Sequence, residues 1–132
     1  MGTYFNPGND RFRNSISSGM YVDKTGLIRE LNDVINTRSG RIGLSHARRF
    51  GKTMAADMIA AYYGKGCDSR DMFSNFEVAS APDFEKHLNK YNVIHLDISS
   101  FADFSKEDLV ETVLDCLYDE MRKEFPGIDY EK

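Results

Sequence analysis

The sequence predicts an α/β domain in which a few parallel strands are flanked by helices. Two short apolar segments, 41–45 and 92–98, are typical of buried strands. Stretches with apolar residues at helical spacing lie before, between and after these segments. Strands that alternate with helices usually pair in parallel through crossover connections. We therefore expect the two strands to be parallel, and either adjacent or separated by one missing strand.

The first predicted helix begins at Asp23, because an aspartate there can accept hydrogen bonds from the free backbone N–H groups of a helix start. Apolar residues recur at helical spacing as far as Asn36, and residues 37–40 end the helix. Residues 1–20 are rich in Gly, Asn, Ser and Arg and show little periodicity. We expect an extended N-terminal arm over 1–20 and a folded unit over 21–132.

Further helices follow each predicted strand. Residues 53–63 have an inner apolar side and are followed by two nearby glycines, which end the helix. Short helical turns are expected at 68–76 and 83–89. The clearest helix spans 105–125 and stops before a Pro-Gly pair. Its apolar face consists of Leu109, Val110, Val113, Leu114, Leu117, Met121 and Phe125.

The composition is that of a folded, water-soluble domain. Of the 132 residues, 41% are hydrophobic and 29% are charged. No run approaches the roughly 18 apolar residues that a membrane span requires. The two cysteines, Cys67 and Cys116, lack metal-type spacing and indicate free thiols in a reducing compartment. We expect a cytoplasmic protein without membrane contact.

Charge is distributed unevenly along the chain. Residues 103–132 hold ten acidic and four basic side chains, a net charge of −6, which leaves +2 for the rest. Such an acidic segment is usually a solvated helix face. Basic residues crowd one region instead, namely Arg38, Arg41, Arg48, Arg49 and Lys52. Their convergence favours an anionic ligand there, whereas the net charge of −4 argues against direct nucleic-acid binding by the surface as a whole.

The junction between the first strand and the next helix carries the motif with the most chemical content. Gly51-Lys52-Thr53 is typical of the end of a phosphate-binding loop. In such loops backbone N–H groups and a helix N-terminus face the anion, Lys reaches the outer phosphates, and the Thr hydroxyl binds Mg²⁺. The complete pattern begins with Gly where this chain has His46. The motif alone is therefore also compatible with an ordinary helix start.

Several blocks resemble those of the bacterial AAA-ATPase-like proteins, in the same order and spacing. They are Asn6-Pro7-Gly8, Tyr21-Val22-Asp23-Lys24-Thr25, Arg48-Arg49-Phe50-Gly51-Lys52, Cys67-Asp68-Ser69 and Val93-Ile94-His95-Leu96-Asp97. That family consists of predicted P-loop ATPases, commonly joined to a C-terminal domain resembling a PD-(D/E)XK nuclease. Its loop usually reads Ser-Arg-Pro-Arg-Arg-Phe-Gly-Lys-Ser. This chain departs at His46, Ala47 and Thr53, and the last keeps the Mg²⁺-binding hydroxyl.

The resemblance implies the N-terminal part of such a domain. Its fold would be a truncated P-loop NTPase-like domain with few parallel strands and a long C-terminal amphipathic helix. Its cofactor would be ATP with Mg²⁺, and the metal would be held by Thr53 together with the nucleotide. The implied nucleotide-binding residues are Arg48, Arg49, Phe50, Gly51, Lys52 and Thr53.

The resemblance also implies that this chain alone does not hydrolyse ATP. The acidic metal-site motif of the family, Leu-Ile-Asp-Glu-Tyr-Asp, follows in a later strand, and no Asp-Glu pair after an apolar strand occurs here. Asp97 ends a predicted strand but corresponds to an earlier one, so we expect it to cap the following turn. His95 is expected to pack on its strand and His87 to be exposed, and neither has a partner at metal-ligand spacing. No catalytic residue is therefore assigned.

A second function class is a truncated protein-interaction module in which the loop is vestigial. Two strands cannot cover the apolar sides of all the predicted helices, and each side chain left in water forfeits about 1.5–3 kcal/mol. We expect a homodimer or a protein partner that covers the apolar face of helix 105–125. A mobile-element-encoded inhibitor that docks on a nucleoprotein machine would fit this class.

Overall fold

The computed structural model describes residues 3–19, 21, 23–43, 52–101 and 106–128. Two short 3-10 helices, Glu77–Ser80 and Ile98–Phe101, accompany the α-helices. The α-helices are α1 (Asp10–Ser17), α2 (Gly26–Val34), α3 (Lys52–Tyr63), α4 (Arg70–Phe73), α5 (Phe84–His87) and α6 (Lys106–Glu124). None of the described helices is long and apolar enough to cross a membrane.

The predicted α/β fold with parallel strands is wrong for the described residues. The only pairings found there are two isolated bridges, antiparallel between Phe5 and Ile94 and parallel between Gly64 and Tyr91. Residues 41–43 have no regular structure, and 44–45 lie outside the described residues. A truncated P-loop NTPase-like fold is therefore not supported by this structure.

The backbone hydrogen bonds explain why 92–98 is not part of a sheet. On one side, the N–H of His95 donates to the carbonyl of Tyr4, 2.8 Å away, and the N–H of Asn6 donates to Val93, also at 2.8 Å. Just before this segment, the N–H of Lys65 donates to the carbonyl of Tyr91 at 2.8 Å. The N-terminal arm thus pairs with residues 93–95 and the end of α3 with Tyr91, and within the described residues these pairings are isolated bridges rather than a sheet.

The arm contains a helix that the sequence analysis did not predict. Residues 10–17 form α1, and Phe12 is fully buried with its ring stacked on Phe73 at a centroid distance of 5.0 Å. Ile16, one helical turn later, packs against the same core. Two apolar residues at this spacing suffice to hold a short polar helix, because tertiary packing outweighs local propensity.

The predicted helices over 23–36, 53–63 and 105–125 are confirmed as α2, α3 and α6, and the two short turns as α4 and α5. Asp23 is two residues before the observed N-cap of α2, Thr25. The core lies between α1, α2, α3 and the short helices. Its fully buried large side chains are Phe12, Ile28, Met58, Tyr62, Phe73 and Val78.

Polar side chains fix the position of α3 within this core. The Asn32 side chain of α2 donates to the Tyr62 hydroxyl at 3.3 Å and accepts from the Tyr63 hydroxyl at 2.6 Å. The Tyr62 hydroxyl donates to the backbone carbonyl of Phe84 at 2.6 Å. Because buried polar groups are costly without partners, these bonds favour one packing of α3. That packing determines where the N-terminus of α3 points.

Candidate functional site

The N-terminus of α3 is the described part of the predicted nucleotide site. Lys52 is the first residue of the helix and Thr53 is exposed in its first turn. The side chain of Lys52 lies outside the described residues, as do Arg48, Arg49, Phe50 and Gly51. The placement of the phosphate-binding loop itself thus stays a prediction.

Thr53 lines an open cavity of about 180 Å³. The cavity joins three segments that are distant in sequence: α1, the first turn of α3, and residues 95–97. Arg11 comes from α1, and His95 and Asp97 come from the segment predicted as the second strand. The remaining lining residues are Ala56 and Leu96. The hydroxyl of Thr53 therefore shares one cavity with a guanidinium, an imidazole and a carboxylate.

Asp57 lies one helical turn after Thr53 on α3, next to His95 of this cavity. Its Oδ1 is 3.9 Å from Nδ1 of His95, and the two side chains are 10% and 16% exposed. That separation is too long for a hydrogen bond. Among the described residues, Oδ1 of Asp57 is a buried oxygen without a hydrogen-bond donor. Burial raises the pKa of the Asp57 carboxyl, and the charges of His95 and Arg11 counteract this in part.

Asp97 caps the following turn, as the sequence predicted, and it also lines the cavity. Its carboxylate accepts hydrogen bonds from the backbone N–H of Ser99 at 3.0 Å and from the Ser99 hydroxyl at 2.5 Å. These bonds lower the pKa of Asp97 and cap the 3-10 helix that begins at Ile98. The expectation of a capping role is confirmed. The sequence did not indicate that Asp97 would also line the cavity beside Thr53.

Of the two histidines, His87 differs from what the sequence predicted, and His95 has an additional neighbour. His87 is buried rather than exposed, and its Nδ1 is 2.8 Å from the hydroxyl of Tyr91. His95 is half-buried and has a carboxylate neighbour, Asp57, that order along the chain did not reveal. No group of three His, Cys, Asp or Glu side chains in the described ranges could hold a metal ion.

Sequence reasoning missed Arg11 and Asp57. Asp57 did leave a signal, because it is the only charged residue between Thr53 and Tyr63, in a helix that is otherwise mostly apolar. A lone charge in such a helix, four residues after a predicted ligand, lies on the same side as that ligand. Arg11 left no signal, because its approach depends on the unpredicted helix α1.

A family model described as "Predicted AAA-ATPase" matches residues 8–130. The chain belongs to the AAA-ATPase-like family. Comparisons with curated proteins and with solved structures gave no match. The resemblance predicted from the sequence blocks is thus confirmed, although the described fold of this AAA-ATPase-like chain is helical.

Two of the family-like blocks outside the loop have structural roles here. Ser69 is fully buried; its hydroxyl donates to the carbonyl of Ala61 at 2.7 Å and its N–H donates to Asn89 at 3.0 Å. Asn6 adopts a positive φ of 45°, and its side-chain oxygen accepts from the N–H of Val93 at 2.8 Å. These blocks therefore hold the segments around α3 in place.

The outer face of α6 is a separate candidate site. Val110 and Leu114 are 65% and 43% exposed. Leu109, Val113, Leu117 and Met121 are partly buried instead. A shallow groove of about 380 Å³ runs along the exposed side, lined by Glu107, Val110, Glu111, Leu114, Asp115 and Tyr118.

Proposed function

We propose that this AAA-ATPase-like chain binds ATP with Mg²⁺ at the N-terminus of α3. The observation that carries the proposal is that Lys52-Thr53 opens a 12-residue helix, with Thr53 exposed at a cavity. The first N–H groups of a helix lack intrahelical partners and carry a partial positive charge, so they attract phosphate. Arg11, which lines the same cavity, adds a fixed positive charge.

Each predicted residue has a distinct part in this proposal. The N–H groups near Gly51 enclose the phosphates, Lys52 contacts the outer ones, and Thr53 holds Mg²⁺ through its hydroxyl. Arg48, Arg49 and Phe50 complete the loop. A hydroxyl in the first turn of a helix, exposed at a cavity, suits an Mg²⁺ that is shared with phosphate oxygens. We propose binding without turnover by this chain alone, because its sequence lacks the acidic motif of the family.

Calorimetric titration with Mg-ATP tests the proposal. Lys52→Ala should abolish binding, because the outer phosphates lose their cation, while circular dichroism stays unchanged. Lys65→Ala is the matched control, because Lys65 follows the other end of α3 and its side chain is exposed. Lack of binding by the wild-type protein at millimolar Mg-ATP would refute the site assignment.

Protein binding through α6 is a second candidate, favoured by the exposure of Val110 and Leu114. Glu107, Glu111 and Asp115 line the same groove. Two copies of this acidic face would repel each other, so its charge favours a partner helix with an apolar stripe flanked by Lys or Arg. The sequence left open a homodimer or a protein partner, and the acidic groove favours a basic protein partner.

A designed helical peptide with leucines flanked by lysines tests this candidate by fluorescence anisotropy. Wild-type protein should bind it, Leu114→Asp should not, and a glutamate version of the peptide should fail with both. Ile128→Asp is the control, because Ile128 is also an exposed apolar residue, at 57% against 43% for Leu114, but follows α6. A wild-type dimer in light scattering that Leu114→Asp dissociates would instead establish self-association.

A further inference from the structure

We propose that His95, positioned by Asp57, contacts the terminal phosphate of bound nucleotide and makes the site prefer ATP over ADP. This inference rests on the proposed function, since it assigns a further residue to the same site. His95 enters the cavity that Thr53 lines, from a segment more than 40 residues later in the chain. It therefore lies beside Thr53 although it is not part of the predicted loop.

The first step of the argument is the location of Asp57. It follows Thr53 by one turn on α3, is nine-tenths buried, and has an oxygen without a hydrogen-bond donor among the described residues. A buried carboxylate of this kind is costly unless a cation or a donor balances it. The charges that act on it come from His95 and Arg11, and both of these residues line the cavity.

The second step is the orientation of the imidazole. Nδ1 is the nitrogen of His95 nearest to Asp57, 3.9 Å from Oδ1. A shift of about 1 Å would form a hydrogen bond from Nδ1–H to the carboxylate. An imidazole that donates from Nδ1 to a carboxylate has Nε2 on the other side of its ring. In the doubly protonated form both ring nitrogens are donors, so one imidazole can bond to Asp57 and to a phosphate at the same time.

The third step is the balance of charge in the cavity. Asp97 also lines it and would repel a phosphate, but Ser99 donates two hydrogen bonds to its carboxylate. Attraction to His95 and Arg11 also lowers the pKa of the Asp97 carboxyl, so these two residues partly balance its negative charge. ATP carries one more phosphate group than ADP, so a donor that reaches only the position of this third phosphate distinguishes the two nucleotides.

Calorimetry with Mg-ATP and Mg-ADP tests the inference on four proteins. His95→Ala should weaken ATP binding about tenfold or more while ADP affinity changes little, since a hydrogen bond to a charged group is lost only with ATP. His95→Gln, which keeps a donor, should retain intermediate ATP affinity. Asp57→Asn should reproduce part of the ATP-specific loss although it does not touch the ligand.

NMR of wild-type protein labelled with ¹⁵N-histidine gives a readout that needs no variant. Mg-ATP should shift the Nε2 resonance of His95 much more than Mg-ADP does. His87 is an internal control, because its ring is buried and contacts Tyr91. If Lys52-dependent ATP binding is present but neither the His95 resonance nor the ATP-to-ADP ratio responds, the inference is overturned and the proposed function survives. Absence of any nucleotide binding overturns both.

Discussion

Asp23 and Asp57 are two carboxylates that affect stability in opposite directions. Asp23 accepts hydrogen bonds from the N–H and hydroxyl of Thr25, at 2.8 and 2.6 Å, and from the N–H of Glu77 at 2.9 Å. Burial alone would raise the pKa of Asp23, but these bonds outweigh it and lower the pKa below its ordinary value. The Thr25 hydroxyl in turn accepts from the N–H of Val78 at 3.2 Å. Asp23 thus connects the start of α2 to the 3-10 helix Glu77–Ser80.

We expect Asp23→Asn to lower the free energy of unfolding by about 0.5–1 kcal/mol at neutral pH, a value reduced because Asp23 is largely exposed. A group whose folded pKa is depressed stabilises above its unfolded pKa, about 3.9, and loses this as pH falls through the folded pKa. The difference in free energy of unfolding between wild type and Asp23→Asn should therefore become smaller below about pH 4. Urea unfolding at pH 7 and pH 3 measures it, with the exposed Asp33→Asn of α2 as control.

Asp57 should show the reverse behaviour. Because burial raises its pKa in the folded protein, the charged form destabilises the fold, and stability falls as pH rises from the unfolded pKa through the folded one. Asp57→Asn should therefore raise the free energy of unfolding at pH 7 by about 1 kcal/mol. The gain should vanish in acid, where wild type is protonated. A variant that is less stable than wild type at pH 7 would show that the attraction to His95 and Arg11 dominates instead.

At the scale of elements, helix α6 is attached to the rest of the described chain through the N-terminal arm. The Glu120 carboxylate accepts hydrogen bonds from three successive backbone N–H groups, those of Thr3, Tyr4 and Phe5. The buried ring of Phe5 also meets the ring of Phe125 edge-on, with centroids 5.7 Å apart. One side chain of α6 thus satisfies several donors of a segment that is in no helix.

Glu120→Gln should release the arm from α6. The neutral amide has only one acceptor oxygen and weaker bonds to N–H groups, so the arm loses about 1.5–3 kcal/mol of charge-assisted bonding. Hydrogen exchange at Tyr4 and Phe5 should accelerate about tenfold or more, because opening becomes easier. Glu111→Gln is the control, because Glu111 is an exposed glutamate of α6 that lines the groove beside Val110 and Leu114. Equal protection of the arm in both variants would contradict this attachment.

The elements also show what the sequence could and could not predict. The helical spacing of apolar residues correctly predicted α2, α3 and α6, because the buried or partly buried apolar residues of each helix recur once per turn. The same reasoning failed for 92–98, because a short apolar run also suits an extended segment that pairs with the N-terminal arm at one isolated bridge. It failed for α1, whose single buried Phe12 depends on Phe73, a contact distant in sequence. The motif located Thr53, but only folding brought His95 and Asp57 together.

At the scale of the whole molecule, apolar and acidic groups share one outer surface. Val110 and Leu114 are exposed beside Glu107, Glu111 and Asp115, within the acidic C-terminal segment. Exposed apolar side chains favour association, while like charges oppose contact between identical copies. The nucleotide site proposed above has the opposite character in sequence, because Arg48, Arg49 and Lys52 belong to its predicted loop. With that proposal, the molecule would have a basic ligand-binding region and an acidic apolar face on α6.

The salt dependence of partner binding separates the attraction by the acidic residues of α6 from its apolar contact through Leu114. Acidic residues attract the lysine-flanked peptide through exposed pairs worth about 0.2–1 kcal/mol each, and salt screens them as the Debye length falls from about 10 Å at 0.1 M to about 3 Å at 1 M. We expect affinity to drop about tenfold over that range without disappearing, because contact with Leu114 remains. Glu111→Gln should reduce the salt dependence, whereas Leu114→Asp should abolish binding at every salt concentration. Salt-independent binding would show that charge does not select the partner of this face.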